Sequence, residues 1–319
     1  MPDIARRTFL ITAAAASCAG ECLADSGRAR ARLIVDNDFA GDPDGIAALV
    51  HQLLSPTTHV SLITTSALDQ TLARMAGAER PDRTAQAGFN LAGETVRRIK
   101  LATPPAVVAG ADTFGVSQAQ VSAAAEAIVA EANRSDPLSL FLTCGGPLTN
   151  VAAALRIDPS IATKMTVIWI GGGGYPAGGP EYNLMTDLES ARLVIERSQV
   201  PVWQIPETTY RTVTLAFSEL EWIARRDKGL ALWTYERLTD VPSFVKLDGA
   251  RGIGDSAMVL LTALSSEAGH YSEMPARRLL DGGQYGEPIP ARTLRVYDTL
   301  DADLVVRDFL ARLQLFVTQ

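Results

Sequence analysis

The sequence predicts an α/β fold, a mostly parallel open sheet flanked by helices, with a helical rim in the C-terminal half. Short apolar runs bounded by Gly, Pro, Ser or Thr recur from Arg32 onward, and amphipathic stretches alternate with them. Strand–helix alternation of this kind places parallel strands side by side and helices on both faces. The bulk numbers agree: 319 residues, 47% hydrophobic and 20% charged, are too apolar for a disordered chain and enough for a large core.

The first strand is expected at Arg32–Asp36 and the first helix at Asp44–Leu54, with Ala47, Leu49, Leu53 and Leu54 buried. Further strands are expected at Val60–Thr64, Ala106–Ala109, Leu138–Thr143, Met165–Ile170 and Val200–Ile205. Helices are expected between them at Ala85–Arg98, Gln118–Ala132, Leu148–Leu155 and Asp187–Glu196. Leu72–Thr84, with its Arg, Pro and Asp residues, reads as a surface loop. Ser218–Glu236 and Asp255–Ser265 read as helical without clear strands, and a strand at Leu294–Leu300 and a helix at Ala302–Leu315 end the chain. The stretch Pro206–Gly252 is expected to form a helical cap or rim in the C-terminal half. No internal repeat or long linker divides the chain, so residues 25–319 are expected to fold as one domain.

Residues 1–24 have the parts of a cleavable export signal. Arg6-Arg7-Thr8-Phe9-Leu10 resembles a twin-arginine signal, an apolar run continues to Ala19, and Cys22-Leu23-Ala24 supplies small residues for cleavage. A cut near Ala24 or after Ala19 fits, and Ala15-Ala16-Ser17-Cys18 is a weak match to a lipoprotein box. The apolar run is too short to span a bilayer, so a periplasmic or secreted protein without stable membrane insertion is expected. With the cut near Ala24 only Cys144 would remain, which leaves no intramolecular disulfide. A net charge of −7, without a basic stripe, argues against nucleic acid and anionic lipid as partners. His51, His59 and His270 are scattered singly, so no zinc spacing exists.

The segment Asp36-Asn37-Asp38-Phe39-Ala40-Gly41-Asp42-Pro43-Asp44-Gly45 sets four carboxylates just after a strand. Ligands of open α/β sheets bind at such strand ends. Like charges this close call for a compensating cation or for protonation, and a hard divalent cation with oxygen ligands would serve. A solvated turn capping the next helix would use the same residues. Three other segments stand at strand ends or helix starts: Gly145-Gly146-Pro147-Leu148-Thr149-Asn150, Glu181-Tyr182-Asn183 and Gly254-Asp255.

Together and in this order, these blocks resemble the inosine–uridine-preferring nucleoside hydrolases, over a span from Arg32 to about Leu315. The resemblance implies hydrolysis of a ribonucleoside to ribose and free base by Ca2+-activated water. It implies Asp38 as metal ligand and general base, and Asp36, Asp44, Asp255 and the Gly145 carbonyl as further metal ligands. Asp42, Glu181 and Asn183 would hold the ribose, and Asp69 stands roughly where the family has a ribose-side asparagine. The family is commonly oligomeric, so a homo-oligomer is a further expectation.

Two departures bear on this. Pro43 separates Asp42 from Asp44 where the family has adjacent aspartates, and a register one residue later would put Gly45 at the ligand position. Position 254 is glycine where many purine-handling members carry the histidine that protonates the leaving base. That step would pass to His270, Tyr175, Tyr271 or water, or the leaving group would need little help. A non-catalytic nucleoside- or sugar-binding protein on the same scaffold is the alternative. The Asp-x-Asp of haloacid-dehalogenase-type phosphatases fits worse, because Ala40 stands where that motif has Thr or Val.

Overall fold

The computed structural model describes residues 29–116, 121–242 and 244–318. The expected export signal, with Cys18 and Cys22, lies outside the described residues, as does the start of the helix expected from Gln118.

An eight-stranded sheet organises the chain. β1 (Ala31–Asn37), β2 (Thr58–Thr65), β3 (Ala106–Ala109), β4 (Ser139–Cys144), β5 (Thr166–Ile170) and β6 (Val202–Ile205) are all parallel neighbours in the order β3-β2-β1-β4-β5-β6. The order then continues through β10 (Tyr285–Leu300), parallel to β6, to the antiparallel edge strand β9 (Gly269–Leu279). β7 (Thr214–Ala216) and β8 (Ala250–Gly252) form a separate antiparallel ribbon.

Every residue of β1 is buried, because helices cover both faces of the sheet. Leu33 and Val35 pack into one core with α1 (Asp44–Leu54) and α3 (Thr84–Ile99), and Ile34 packs into the other with α4 (Ala123–Asn133) and α5 (Thr149–Ile157). The period-2 alternation of a strand thus feeds two hydrophobic cores. α2 (Gln70–Met75), α6 (Tyr182–Thr186) and α7 (Leu188–Arg192) are short, and the helix expected over Asp187–Glu196 continues from α7 as a π-turn at Leu193–Arg197. α8 (Phe217–Ala224) and α9 (Leu230–Thr239) make the expected helical rim, and α10 (Ala302–Val317) closes the chain against the first core.

Three expectations are corrected. The C-terminal half carries strands that were not expected, namely β7, β8 and all of β9, and β10 begins at Tyr285 rather than Leu294. Pro275 in β9 and Pro288 and Pro290 in β10 obscure the pattern, and β9, at the sheet edge, buries too few side chains to alternate clearly. The stretch read as a loop from Leu72 holds α2, because the Asp69 carboxylate accepts the Thr71 and Leu72 N–H groups and caps a helix there. Asp255–Ser265 is a succession of 3-10, α and π turns rather than one helix. Among the described residues no helix is long and apolar enough to cross a membrane.

β1 is the point where the strand order reverses. The chain runs outward from it through β2 to β3, then returns to β4 on its other side. The crevice between the carboxyl ends of β1 and β4 is where a doubly wound sheet opens a ligand site.

Candidate active site

The loop after β1 lies in that crevice, facing a cavity of about 580 Å³. Asp38, Asp42, Asp44, Gly145, Glu181, Asn183 and Asp255 all line it. They come from four separated stretches of chain, each delivered by a strand end or a helix start.

Asp44 is the first residue of α1, where the N-terminal end of the helix dipole favours a negative charge. Its Oδ2 accepts the Asp255 backbone N–H at 3.3 Å. Gly45, the alternative in the other register, instead lies against the Asn37 side chain, where a β-carbon would come within 2.7 Å of Asn37 Oδ1. Asn37 Nδ2 donates to Asp255 Oδ2 at 2.8 Å. Gly145 must also lack a side chain, since a β-carbon there would lie 2.3 Å from Asn37 Nδ2 and 2.5 Å from Asp255 Oδ2. Asn37 is therefore held between two glycines and steers Asp255 toward the loop.

Glu181 caps α6. Its Oε2 accepts the N–H groups of Gly172 and Leu184 at 2.7 and 2.9 Å. Its Oε1 accepts Asn183 N–H at 3.2 Å and the Tyr210 hydroxyl at 3.0 Å. Asn183 Nδ2 donates to the carbonyls of Gly145 at 3.2 Å and Ile170 at 2.9 Å, which ties α6 to the ends of β4 and β5.

Two expected site residues are placed elsewhere. Asp36 is fully buried beneath the cavity. It accepts from Thr64 Oγ1 at 2.5 Å, Asn150 Nδ2 at 2.8 Å and Ser66 Oγ at 3.2 Å, an arrangement that fixes the loop's root rather than leaving a free ligand. Asp69 gives its carboxylate to the cap of α2 and is not part of the cavity wall, although its neighbour Leu68 is. The three side chains weighed as alternative proton donors also lie away from it. His270 is exposed and bonded to Asp298 on the β9–β10 hairpin, Tyr175 packs at a tilt against Tyr285, and Tyr271 against Tyr297.

Sequence reasoning missed Asn37, Tyr210 and Arg251. Asn37 stood in plain view as a polar residue at the end of an apolar strand, whereas no local signal marked the other two. Arg251, on β8, pairs with Asp42 Oδ1 at 2.8 Å. Tyr210 explains position 254: a β-carbon on Gly254 would come within 2.8 Å of the Tyr210 ring.

Electrostatically the site is under strain. Burial, then the neighbouring Asp255 and Asp42 charges, push the carboxyls of Asp38 and Asp44 well above the ordinary carboxylate range. Asp255 is also raised by burial, with Asn37 opposing. Glu181 is raised by burial against its four hydrogen-bond donors.

Among the described residues no three His, Cys, Asp or Glu side chains form a ready-made metal-ligand group. The donor chemistry nevertheless fits a hard divalent cation: carboxylates and one backbone carbonyl, oxygen only, at a place where like charges are buried together. The buried Asn37 Oδ1 beside them has no hydrogen-bond partner.

The sequence profile of the inosine-uridine preferring nucleoside hydrolases matches residues 33–247. The chain belongs to that family. The match covers the β1 loop, Gly145 and the Glu181–Asn183 block and ends before Asp255. A pyrimidine-specific ribonucleoside hydrolase, RihA of Salmonella paratyphi B, is 31% identical over 185 residues, 53% of this chain and 58% of the relative. The inosine-uridine preferring nucleoside hydrolase of Crithidia fasciculata is 34% identical over 74 residues, 22% of each chain. The aligned stretches thus span less than two thirds of these relatives. The fold is shared more widely: the crystal structure of the inosine-uridine preferring nucleoside hydrolase from Bacillus anthracis superimposes with a TM-score of 0.69 at 14% identity, covering 89% of this chain and 99% of that one.

Proposed function

We propose that this nucleoside hydrolase family member cleaves the N-glycosidic bond of a ribonucleoside or related N-riboside, giving ribose and free base. The observation that carries the proposal is the convergence of Asp38, Asp44, Asp255, the Gly145 carbonyl, Glu181 and Asn183 on one acidic cavity at the switch point of the sheet. Asp38, Asp44, Asp255 and Gly145 would hold Ca2+. When bound, the ion supplies the positive charge that makes a water easier to deprotonate.

The chain's own residues supply the rest. Asp38, buried in the cavity wall, accepts the proton of the attacking water. Glu181 and Asn183 position the ribose hydroxyls, with Asn183 already fixed by Gly145 and Ile170. The surrounding carboxylates favour the positive charge that develops on the sugar ring as the bond to the base stretches. Asp42 stands at the rim, exposed and paired with Arg251, and meets the outer hydroxyls.

The test is release of free ribose from a nucleoside panel, with added Ca2+ and with chelator. Turnover that is lost with chelator supports the proposal. Wild-type protein that binds nucleosides and returns them intact overturns it in favour of a binding protein, the reading that the Asp42–Arg251 pair and Gly254 would favour.

A further inference from the structure

We infer that the cavity takes cationic N-ribosides, in which the glycosidic nitrogen carries the positive charge, as in pyridinium ribosides. The inference rests on the hydrolase reading above and narrows its substrate class. Three independent features of the cavity lead to it.

The first is the supply of protons. A neutral purine or pyrimidine leaves as an anion unless an acid protonates it while the bond to C1′ breaks. No histidine or lysine is among the described residues that line the cavity. Arg251 is held by Asp42. The Tyr210 hydroxyl already donates to Glu181 Oε1 at 3.0 Å, and burial holds both it and the Tyr182 hydroxyl above the ordinary phenol range. Nor can position 254 supply an acid, because the Tyr210 ring fills the space a side chain there would enter.

The second is charge. Asp38, Asp42, Asp44, Glu181, Asp240 and Asp255 face one guanidinium across the cavity, so a divalent cation would still leave the wall net negative. The third is the lining: Tyr182, Tyr210 and Phe244 line the cavity and offer aromatic surface to a flat ring, and a cationic ring gains most from such contact.

A cationic leaving group removes the need for an acid. The C1′–N bond breaks with its electron pair going to nitrogen, which becomes a neutral pyridine. The water oxygen bonds to C1′, and its proton passes to Asp38 and then to solvent. The products are ribose, neutral base and one proton, and no co-reactant is needed.

The experiment compares kcat/KM of the Ca2+-loaded wild-type protein on nicotinamide riboside, inosine, uridine and p-nitrophenyl β-ribofuranoside, the last being neutral with a good leaving group. The expected result is nicotinamide riboside ahead of inosine and uridine by about the 10²–10⁴ that a general acid supplies. Its KM should also be lower than that of p-nitrophenyl riboside, because only the former carries charge. Inosine or uridine turned over as well as nicotinamide riboside would overturn the inference and leave the hydrolase reading standing. Turnover of the p-nitrophenyl riboside with none of nicotinamide riboside would overturn it too. Absence of ribose from all four would instead defeat the hydrolase reading, and this inference with it.

Discussion

Asn37 Nδ2 and Asp255 Oδ2 lie 2.8 Å apart although 218 positions separate them in the chain. This hydrogen bond joins the end of the first strand to a turn beyond the helical rim, and it aims a carboxylate at the β1 loop. Partners that orient a ligand in this way typically contribute 10–100-fold to metal affinity. Asn37→Ala should therefore weaken Ca2+ binding by about tenfold or more, read by calorimetry. Asn37 is buried, so circular dichroism must first show that the variant is folded. Affinity equal to wild type would show that Asp255 needs no positioning.

Asp38→Asn should lower turnover by about 10²–10⁴ while sugar binding changes little, because shape and oxygen donation survive and the proton acceptor does not. The same change should stabilise the cation-free protein. A buried carboxyl held above its ordinary range opposes folding once ionised, and the amide removes that opposition. Thermal melts in chelator would reveal it. A variant both inactive and less stable than wild type would mean that Asp38 is structural.

The pH dependence follows from the same groups. Asp38 and Asp44 bind protons more tightly in the folded chain than in the unfolded one, where carboxylates titrate near 4. Their contribution to cation-free stability is therefore full below that range and declines as pH rises through the raised folded values. A cation that binds the ionised forms reverses this, so the rise in Tm on adding Ca2+ should be larger at about pH 8 than at about pH 5. Melts at both pH values, with Ca2+ and with chelator, measure it. An equal rise at both, or a larger one at the lower pH, would separate the ion from these carboxylates.

The parallel half of the sheet was legible because each strand there is short, apolar and flanked by turn residues, and the helices between repeat at their own period. The β9–β10 hairpin was not, since strands with prolines and one half-solvated edge carry no such pattern. The acidic loop stood out by its own residues, whereas Gly145, Glu181 and Asn183 each read locally as turn or cap chemistry and gained a role only from the order of blocks that resembles the family. Asp36 shows the limit of that reading. It shares the motif with Asp38, yet it lies inside β1 whereas Asp38 lies just past the strand's end, and its carboxylate is taken up by Thr64, Ser66 and Asn150, partners distant in sequence. Tyr210 was invisible for the same reason, its meaning lying in a glycine 44 residues away whose own side chain it replaces.

That last relationship can be tested through stability. Gly254 lacks a β-carbon at a place where one would meet the Tyr210 ring at 2.8 Å, and the ring is anchored by its hydroxyl on Glu181 at 3.0 Å. Gly254→Ala should thus destabilise by about 1–3 kcal/mol, the ordinary result of forcing atoms into a filled space. Tyr210→Ala removes the 2.8 Å ring contact and leaves the looser approaches of 3.3 and 3.4 Å to the carbonyl oxygen and β-carbon of position 210, so the same alanine added in that background should cost less. The two substitutions should couple by more than about 0.5 kcal/mol in a double-mutant cycle read by denaturant unfolding. Tyr210→Phe separates packing from hydrogen bonding: it keeps the ring, so Gly254→Ala should remain as costly there as in wild type. Strictly additive effects in the alanine cycle would mean that Tyr210 does not occupy the space of the missing side chain, and the glycine would need another cause.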